Sequence, residues 1–239
     1  MGNYLFNDEK INIARGLYKG VSSIHKFGAV PAMSQNATGT VWDIDDTLYP
    51  WSAFNTATTL TVDRANAGDV GKTVTIIGLD ENFDEATDTA VLTNATGNTT
   101  ASGVTFKRVY RAYLTGGVNL GNIDIKAGAT TVARIAAANG QTLMAVYTVP
   151  AGYTGYLLNG TSTVAANADA TGSMFLHYFN TDTFRIGHTF EVAGVGGKYQ
   201  YDFGVPIVLP EKTDIDIRAS VRSNNARFTA IFDIILKAN

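Results

Sequence analysis

Cysteine is absent from the 239-residue chain, and charged residues are scarce. Without cysteine there is no disulfide framework, thiolate metal site or cysteine nucleophile, which is typical of a protein assembled in a reducing compartment. A single β-sandwich of this length can bury enough surface to fold without cross-links. The composition therefore predicts a chain that is stabilised by burial of apolar side chains in one large core or two smaller ones.

Charged residues make up 16% of the chain, against roughly 25% in an average soluble domain. A surface rich in Thr, Asn and Gly can lie against another subunit without desolvating many ions, which favours permanent assembly. The net charge of -3 offers no basic surface for a phosphate backbone. The apolar runs are far shorter than the roughly 20 residues of a membrane helix. We therefore expect identical subunits as partners, and neither nucleic acid nor membrane.

Residues 1–36 differ from the rest because they carry a net charge of +2 and a helix signal. Asn7 is expected to cap a short helix that runs to about Tyr18, with acidic residues in its first turn. No basic region is followed by an apolar core, so no secretory signal is expected. This N-terminal arm is predicted either to pack on its own core or to dock on a neighbouring subunit.

From residue 37 onward, apolar residues recur with a period of two between frequent turn clusters, which predicts an all-β chain. Residues 37–128 form an acidic β-rich module with eleven acidic and six basic residues. Residues 129–239 contain about eight strands, the number expected of a jelly-roll-like antiparallel β-sandwich. The predicted domains are an N-terminal arm (1–36), an acidic module (37–128) and a sandwich (129–239).

The most distinctive stretch, residues 140–158, has the pattern of a β-hairpin. β-branched and aromatic residues fill 142–148 and 153–158, and Pro150 and Gly152 supply the fixed and the permissive φ of a tight turn. Residues 130–139 are the only other candidate helix besides the N-terminal arm. The hairpin is predicted to begin the better-defined half of the fold.

Two strands near the C-terminal end alternate cleanly. In residues 213–221, Ile215 and Ile217 are expected to face the core, and Asp214 and Asp216 to face water. Residues 228–236 alternate in the same way, and isoleucines on their second face predict a strand covered on both sides. Residues 174–179 are apolar on both faces, which predicts a central strand or a subunit interface.

The run Asp-Ile-Asp-Asp at residues 43–46 resembles the first motif of the haloacid-dehalogenase phosphatases, in which the first aspartate attacks phosphorus and the second acts as acid and base. In that family the motif ends an apolar strand of a parallel sheet, whereas Pro50 follows here and no βαβ pattern surrounds it. We therefore expect a loop or edge strand in which Trp42, Tyr49 and Trp51 pack as anchors, and no enzyme.

Residues 80–88 place carboxylates at alternate positions, like the start of a calcium loop. Glu85 stands where an EF-hand needs glycine and Val91 where it needs its last glutamate, so an EF-hand is excluded. A solvated acidic hairpin tip is expected, with a looser surface calcium site as the alternative. His177 and His188 could face each other across two strands, but the sequence offers no third zinc ligand. No metal, cofactor or catalytic residue is therefore predicted.

Five separated motifs are distinctive enough to compare with known families. They are Thr75-Ile-Ile-Gly-Leu-Asp-Glu-Asn, Phe106-Lys-Arg-Val-Tyr-Arg-Ala, Gly121-Asn-Ile-Asp-Ile, Met144-Ala-Val-Tyr-Thr-Val-Pro-Ala-Gly and Gly204-Val-Pro-Ile-Val-Leu-Pro-Glu-Lys-Thr-Asp-Ile-Asp-Ile-Arg. Together they resemble structural proteins of tailed bacteriophages, especially those of marine and cyanobacterial hosts. The resemblance covers residues 37–239. It implies a late protein of the virion, assembled in the host cytoplasm, and carries no catalytic residues across.

The leading functional prediction is a non-enzymatic virion protein that decorates or stabilises the capsid, or joins head and tail. It would act as a homo-oligomer that packs on identical subunits and on a major capsid or other virion protein. The alternative is a receptor- or carbohydrate-binding virion module, since Trp42, Tyr49, Trp51 and Tyr153 could stack on sugar rings. The predicted interface residues are Met174, Phe175, Leu176, Tyr178, Phe179, Trp42 and Trp51.

Overall fold

The computed structural model describes residues 9–165, 168–181, 183–194 and 196–239. They contain one short helix, α1 (Glu9–Ala14), two 3-10 turns (Trp51–Phe54 and Ala67–Asp69) and antiparallel strands. Asn7, the predicted helix cap, lies outside the described residues. Within these ranges no helix is long and apolar enough to cross a membrane. The protein is all-β, as its sequence predicts.

The strands follow one another from the helix to the end of the chain. They are β1 (Val21–Met33), β2 (Thr38–Thr40), β3 (Leu60–Arg64), β4 (Thr73–Asp80), β5 (Glu85–Val91), β6 (Asn98–Thr99), β7 (Phe106–Thr115), β8 (Ile123–Ala127), β9 (Thr130–Ile135), β10 (Val146–Thr148), β11 (Tyr153–Val164), β12 (Ala170–His177), β13 (Arg185–Val192), β14 (Lys198–Leu209), β15 (Asp214–Val221) and β16 (Ala226–Ala238).

Two facing sheets form a jelly-roll-like sandwich. One sheet has the order β1-β16-β11-β14, and the other has the order β10-β15-β12-β13, with β2 also paired to β15. Alternate residues of both sheets meet in a single core, for example Phe228 and Ile234 from β16 against Ile215 and Ile217 from β15. Burial of these apolar side chains is the main force that holds the sheets together. The predicted fold class is confirmed.

Between β2 and β10 the chain builds a second, smaller pair of sheets, with the orders β6-β3-β8-β9 and β5-β4-β7. Their own core includes Leu60, Ile76 and Phe106. β2 pairs with residues 218–220 of β15, and β10 pairs with residues 214–216 of the same strand. The chain therefore leaves the sandwich and rejoins it along one edge of β15. We call residues 41–145 the inserted segment.

The sheets group the residues differently from the predicted segments. Residues 21–33, placed in the N-terminal arm by the sequence, form β1 and pair with β16. Residues 130–135, placed in the sandwich, pair with β8 of the inserted segment. The helix predicted at 130–139 was wrong, because β-branched Thr130, Thr131 and Val132 fit the pleated edge beside β8. The division into domains stays a prediction.

Residues 140–158 do not form the predicted hairpin. β10 pairs with β15, whereas β11 pairs with β14 and β16, so the chain crosses at Pro150 and Gly152 from one sheet to the other. Gly152 has a φ of 72°, the left-handed value that the predicted turn also needs. A sandwich corner and a hairpin turn use the same residue types, so the local sequence does not distinguish them.

The outer face of β15 is buried, which contradicts the prediction that Asp214 and Asp216 face water. The inserted segment covers this face and supplies polar partners to both carboxylates. On β16 the predicted second covered face is only partly formed, since Ile235 is half-buried and Ile231 is exposed. Alternation along a strand indicates which residues share a face. It does not reveal whether a distant part of the chain packs on that face.

Candidate functional site: an open sheet edge

β13 and β14 form what we call the open edge of the sandwich. Among the described residues, β13 pairs with β12 alone and β14 with β11 alone, so one backbone edge of each strand has no β partner. β14 is 12 residues long. Long unpaired strands present rows of free N–H and C=O groups, and these groups are sites of pairing with another chain. The open edge is therefore a candidate docking surface.

A bulge interrupts β14 at the open edge. The sequence predicts two strands here, at 199–203 and 205–209, but the structure has one strand whose pairing jumps from Asp202 to Ile207. Residues 203–206 are left outside the ladder. Pro206, which has no N–H to donate, is tolerated in such a bulge on an edge strand. Val205 at this bulge is 84% exposed.

Apolar side chains are exposed along both strands of the open edge. Ile186 on β13 is 60% exposed, and Tyr201 and Val208 on β14 are 44% and 53% exposed. Single exposed apolar residues are ordinary on protein surfaces. Several of them along an unpaired strand edge are instead typical of protein interaction sites.

Aromatic rings fill the gap between β13 and β14 at the open edge. The ring centres of Phe190 and Tyr199 lie 4.5 Å apart in a stacked arrangement, and those of Tyr201 and Phe203 lie 4.9 Å apart. His188 Nε2 and the Tyr199 hydroxyl lie 2.6 Å apart in a hydrogen bond. Such contacts fix the positions of the two strands, so a partner would meet a preformed surface that is rich in aromatic residues.

Three of the predicted interface residues, Met174, Leu176 and Trp42, are buried inside the chain itself. Trp42 Nε1 donates to the carbonyl oxygen of Thr47 at 3.1 Å, so this indole anchors a loop. Burial of Trp42 and Tyr49 also removes two of the four rings from the predicted sugar-stacking set. The sequence did not single out the open edge. Pro206 was the available signal, since proline within a strand indicates an edge.

The other predicted interface residues are partly accessible. Phe175 and Tyr178 are half-buried, and the Arg218 guanidinium lies 4.1 Å from the ring centre of Phe175. Phe179 is exposed beside Phe83, with the two ring centres 5.7 Å apart. Trp51 is half-buried and donates from Nε1 to Asp216 at 3.1 Å. Their assignment to an interface stays a prediction.

The carboxylates at residues 43–46 hold three different backbone segments. Asp43 accepts the N–H of Leu143 at 2.6 Å, Asp45 accepts the N–H of Ala32 at 2.8 Å, and Asp46 accepts an N–H at 2.9 Å from residue 34. Burial raises the pKa of Asp43 to about 7, although the Leu143 hydrogen bond opposes the shift. The three side chains therefore fasten loops and are not grouped around a common reaction site.

The other residues considered as metal ligands, Asp80, His177 and His188, are not arranged around a common site. Asp80 Oδ1 accepts the N–H groups of Asn82 and Asp84 in the turn between β4 and β5. His188 lies opposite Met174 and His177 lies opposite Asp214, so the two histidines do not face each other. In the ranges that the structure describes, no three His, Asp or Glu side chains are grouped as metal ligands.

A buried polar cluster joins the inserted segment to the sandwich. Arg108 on β7 donates from Nε and Nη2 to the two oxygens of Asp214 at 2.7 and 2.8 Å. His177 and Thr148 of the sandwich bond to the same carboxylate. Burial acts to raise the pKa of Asp214, but hydrogen bonds from His177 and Arg108 outweigh it and hold that pKa below its usual range. The cluster therefore holds the inserted segment against the sandwich.

Comparison with known proteins identifies no family and only weak structural similarity. No protein-family model and no curated protein matches it. Among solved structures it is similar to the cowpea mosaic virus top component (naturally occurring empty particles), with 6% identity over 77% of this chain and 82% of that chain and a TM-score of 0.22. The structure of the infectious bursal disease virus Gt strain gives 11% identity over 92% of this chain and 73% of that chain, with a TM-score of 0.23. The VP2 subviral particle of infectious bursal disease virus gives 12% identity over 92% of this chain and 71% of that chain, with a TM-score of 0.23. Scores this low do not establish a shared fold.

Proposed function

We propose that the chain is a non-enzymatic structural protein of a virus particle that assembles with identical copies through the open edge. The observation that carries this proposal is the 12-residue strand β14, which has one backbone edge without a partner and several exposed apolar side chains. The virion setting is supported by the resemblance of five sequence motifs to structural proteins of tailed bacteriophages. In that setting, assembled copies would decorate or stabilise the capsid, or join head and tail, in contact with a major capsid or other virion protein.

The residues of β14 are complementary to a second copy of the same strand. In an antiparallel pairing centred on Gln200, Lys198 of one copy lies opposite Asp202 of the other, and Tyr199 lies opposite Tyr201. Opposite charges and aromatic pairs directly across two strands each stabilise the pairing. A two-fold axis through Gln200 makes every such contact twice and pairs residues 198–202 of the two copies. We therefore propose a two-fold contact as the unit of assembly.

Light scattering after size-exclusion chromatography tests this assembly. We expect the wild-type protein to form a defined oligomer at micromolar concentration and Tyr201→Asp to weaken it, because the substitution removes the Tyr199–Tyr201 pairs and desolvates a carboxylate at the contact. Val91→Asp is the control. Val91 is 50% exposed, close to the 44% of Tyr201, but lies on β5 of the inserted segment. A strictly monomeric wild type, or equal effects of the two substitutions, would contradict the proposal.

A further inference from the structure

Lys26 lies where the core of the sandwich normally places an apolar side chain. On β1 it is in phase with Ile24 and Val30, and its partner across the ladder is the core residue Phe232. Lys26 is only 7% exposed. Removing an ammonium from water costs free energy unless it is paired. The sequence pattern alone, a lysine within an apolar face, could have identified this position.

The ammonium of Lys26 makes few contacts with the protein. Its Nζ donates to the backbone carbonyl oxygen of Tyr110 and lies 5.6 Å from the centre of that ring. Among the residues that the structure describes, no ion pair joins it to a carboxylate. An ammonium has three N–H donors, so two of them need acceptors from another source. Burial, and then the charge of Arg111, lower the pKa of Lys26 to about 7.

A cavity of about 360 Å³ opens beside Lys26, between β1 and the strands β4, β5 and β7 of the inserted segment. Arg111 contributes a second cation, and Glu85 is the one carboxylate in the lining. His25 also lines the cavity, but its side chain is hydrogen-bonded to Asp233. The charge around the cavity is therefore positive on balance, as an anion requires.

The walls of the cavity are partly apolar. Ile24, Phe27 and Ile77 line it together with Tyr110. Pockets that hold small organic molecules measure roughly 300–1,000 Å³ and combine apolar walls with a few polar groups. The cavity is within this range, and its two cations would fix the orientation of an anionic head group.

We infer that this cavity binds a small organic carboxylate. Its oxygens accept hydrogen bonds from Lys26 and Arg111, and its apolar body packs against Ile24, Phe27 and Ile77. The carboxylate supplies the acceptors that Lys26 lacks within the chain. This binding site lies on the β1 side of the sandwich and does not depend on assembly through the open edge.

Isothermal titration calorimetry of the full chain with hexanoate tests the inference, with hexanol as the uncharged probe. We expect hexanoate to bind in the millimolar range or more tightly, and hexanol to bind at least about tenfold more weakly. Lys26→Met keeps a side chain of similar length but removes the charge, and should weaken hexanoate at least about tenfold. Lys237→Met is the matched control, because Lys237 is exposed on β16 outside the cavity and should leave the affinity unchanged.

Arg111→Gln provides a second variant in case Lys26→Met does not fold. Arg111 is exposed, so its replacement should preserve the fold and weaken hexanoate severalfold. The inference is overturned if the wild type does not bind hexanoate or if hexanol binds equally well. It is also overturned if folded Lys26→Met, or Arg111→Gln where Lys26→Met does not fold, retains wild-type affinity.

Discussion

At the scale of single residues, Asp214 receives hydrogen bonds from both parts of the molecule. Arg108 belongs to the inserted segment, whereas His177 and Thr148 belong to the sandwich. Because the pKa of Asp214 is lowered on folding, its ionised form stabilises the fold at neutral pH, and this contribution is lost only as the pH falls through that lowered pKa. A buried carboxylate of this kind depends strongly on its cation.

Arg108→Met should therefore destabilise the protein by about 3 to 5 kcal/mol, since it leaves Asp214 buried without its guanidinium partner. Arg134→Met is the matched control, because Arg134 makes the same two-bond contact to Asp124 at 2.6 and 2.9 Å. That pair is more exposed, so its loss should cost about 1 kcal/mol or less. Urea unfolding measures both changes. Equal losses would show that burial does not determine the difference.

The sequence predicted the apolar half of β15 correctly and its polar half wrongly. Ile215 and Ile217 face the core, as alternation requires. Asp214 and Asp216 have the residue types of a solvent-exposed face, and their partners Arg108 and Trp51 are more than a hundred residues away in sequence. Contacts of that range leave no periodic signal in a strand, so their burial was not predictable from the strand alone.

At the scale of elements, β1 passes very close to the chain where it enters and leaves the inserted segment. A Cβ atom built on Gly28 would overlap the Val41 carbonyl oxygen and the Ala145 backbone nitrogen. Both atoms belong to the backbone and cannot move aside as a flexible side chain does. The absence of a side chain at residue 28 is therefore what allows the two connections to cross β1.

Gly28→Ala should destabilise the protein by about 2 to 4 kcal/mol, because the added methyl group forces the backbone apart. The matched control is Gly160→Ala in β11 of the same sheet. There the nearest atom to a new Cβ is the Ile231 carbonyl oxygen at 3.9 Å, an ordinary contact. We expect that change to alter the free energy of unfolding by about 1 kcal/mol or less. Thermal and urea unfolding of both variants provide the measurement, and similar values would argue against a tight crossing.

The positions of the strands were easier to predict from the sequence than the strands with which they pair. The strands from β11 to β16 lie near their predicted positions, because the period-two pattern is local. The partners of β10 and β11 were predicted wrongly, because Pro150 and Gly152 serve a hairpin and a corner equally well. The open edge was missed for a related reason, since strand patterning does not reveal which strands end a sheet.

At the scale of the whole molecule, the open edge leaves the sandwich incomplete on one side. On the other side, the inserted segment packs against β10 and β15 and shares buried residues such as Val146 with them. The two sides therefore differ in what covers them. Assembly through β14 would give residues 198–202 the partner strand that they lack within one chain.

Exchange of two charges tests the two-fold pairing of β14. K198E places like charges across the proposed contact at two symmetric positions, so the dissociation constant should rise about tenfold. The double variant K198E/D202K restores opposite charges and should recover most of the wild-type affinity. Analytical ultracentrifugation measures all three proteins. A double variant that is as weak as K198E would exclude this register.

The pairing of β1 with β16 has a consequence for the order of folding. Val21 lies opposite Lys237, so the first strand of the sandwich has no partner until the last one has been synthesised. The strands of the inserted segment are close in sequence and can pair earlier. On the ribosome, the smaller core should therefore form first, while closure of the sandwich waits until β16 has been synthesised. A nascent chain that lacks β16 would then have β1 exposed and no closed sandwich to offer to a partner.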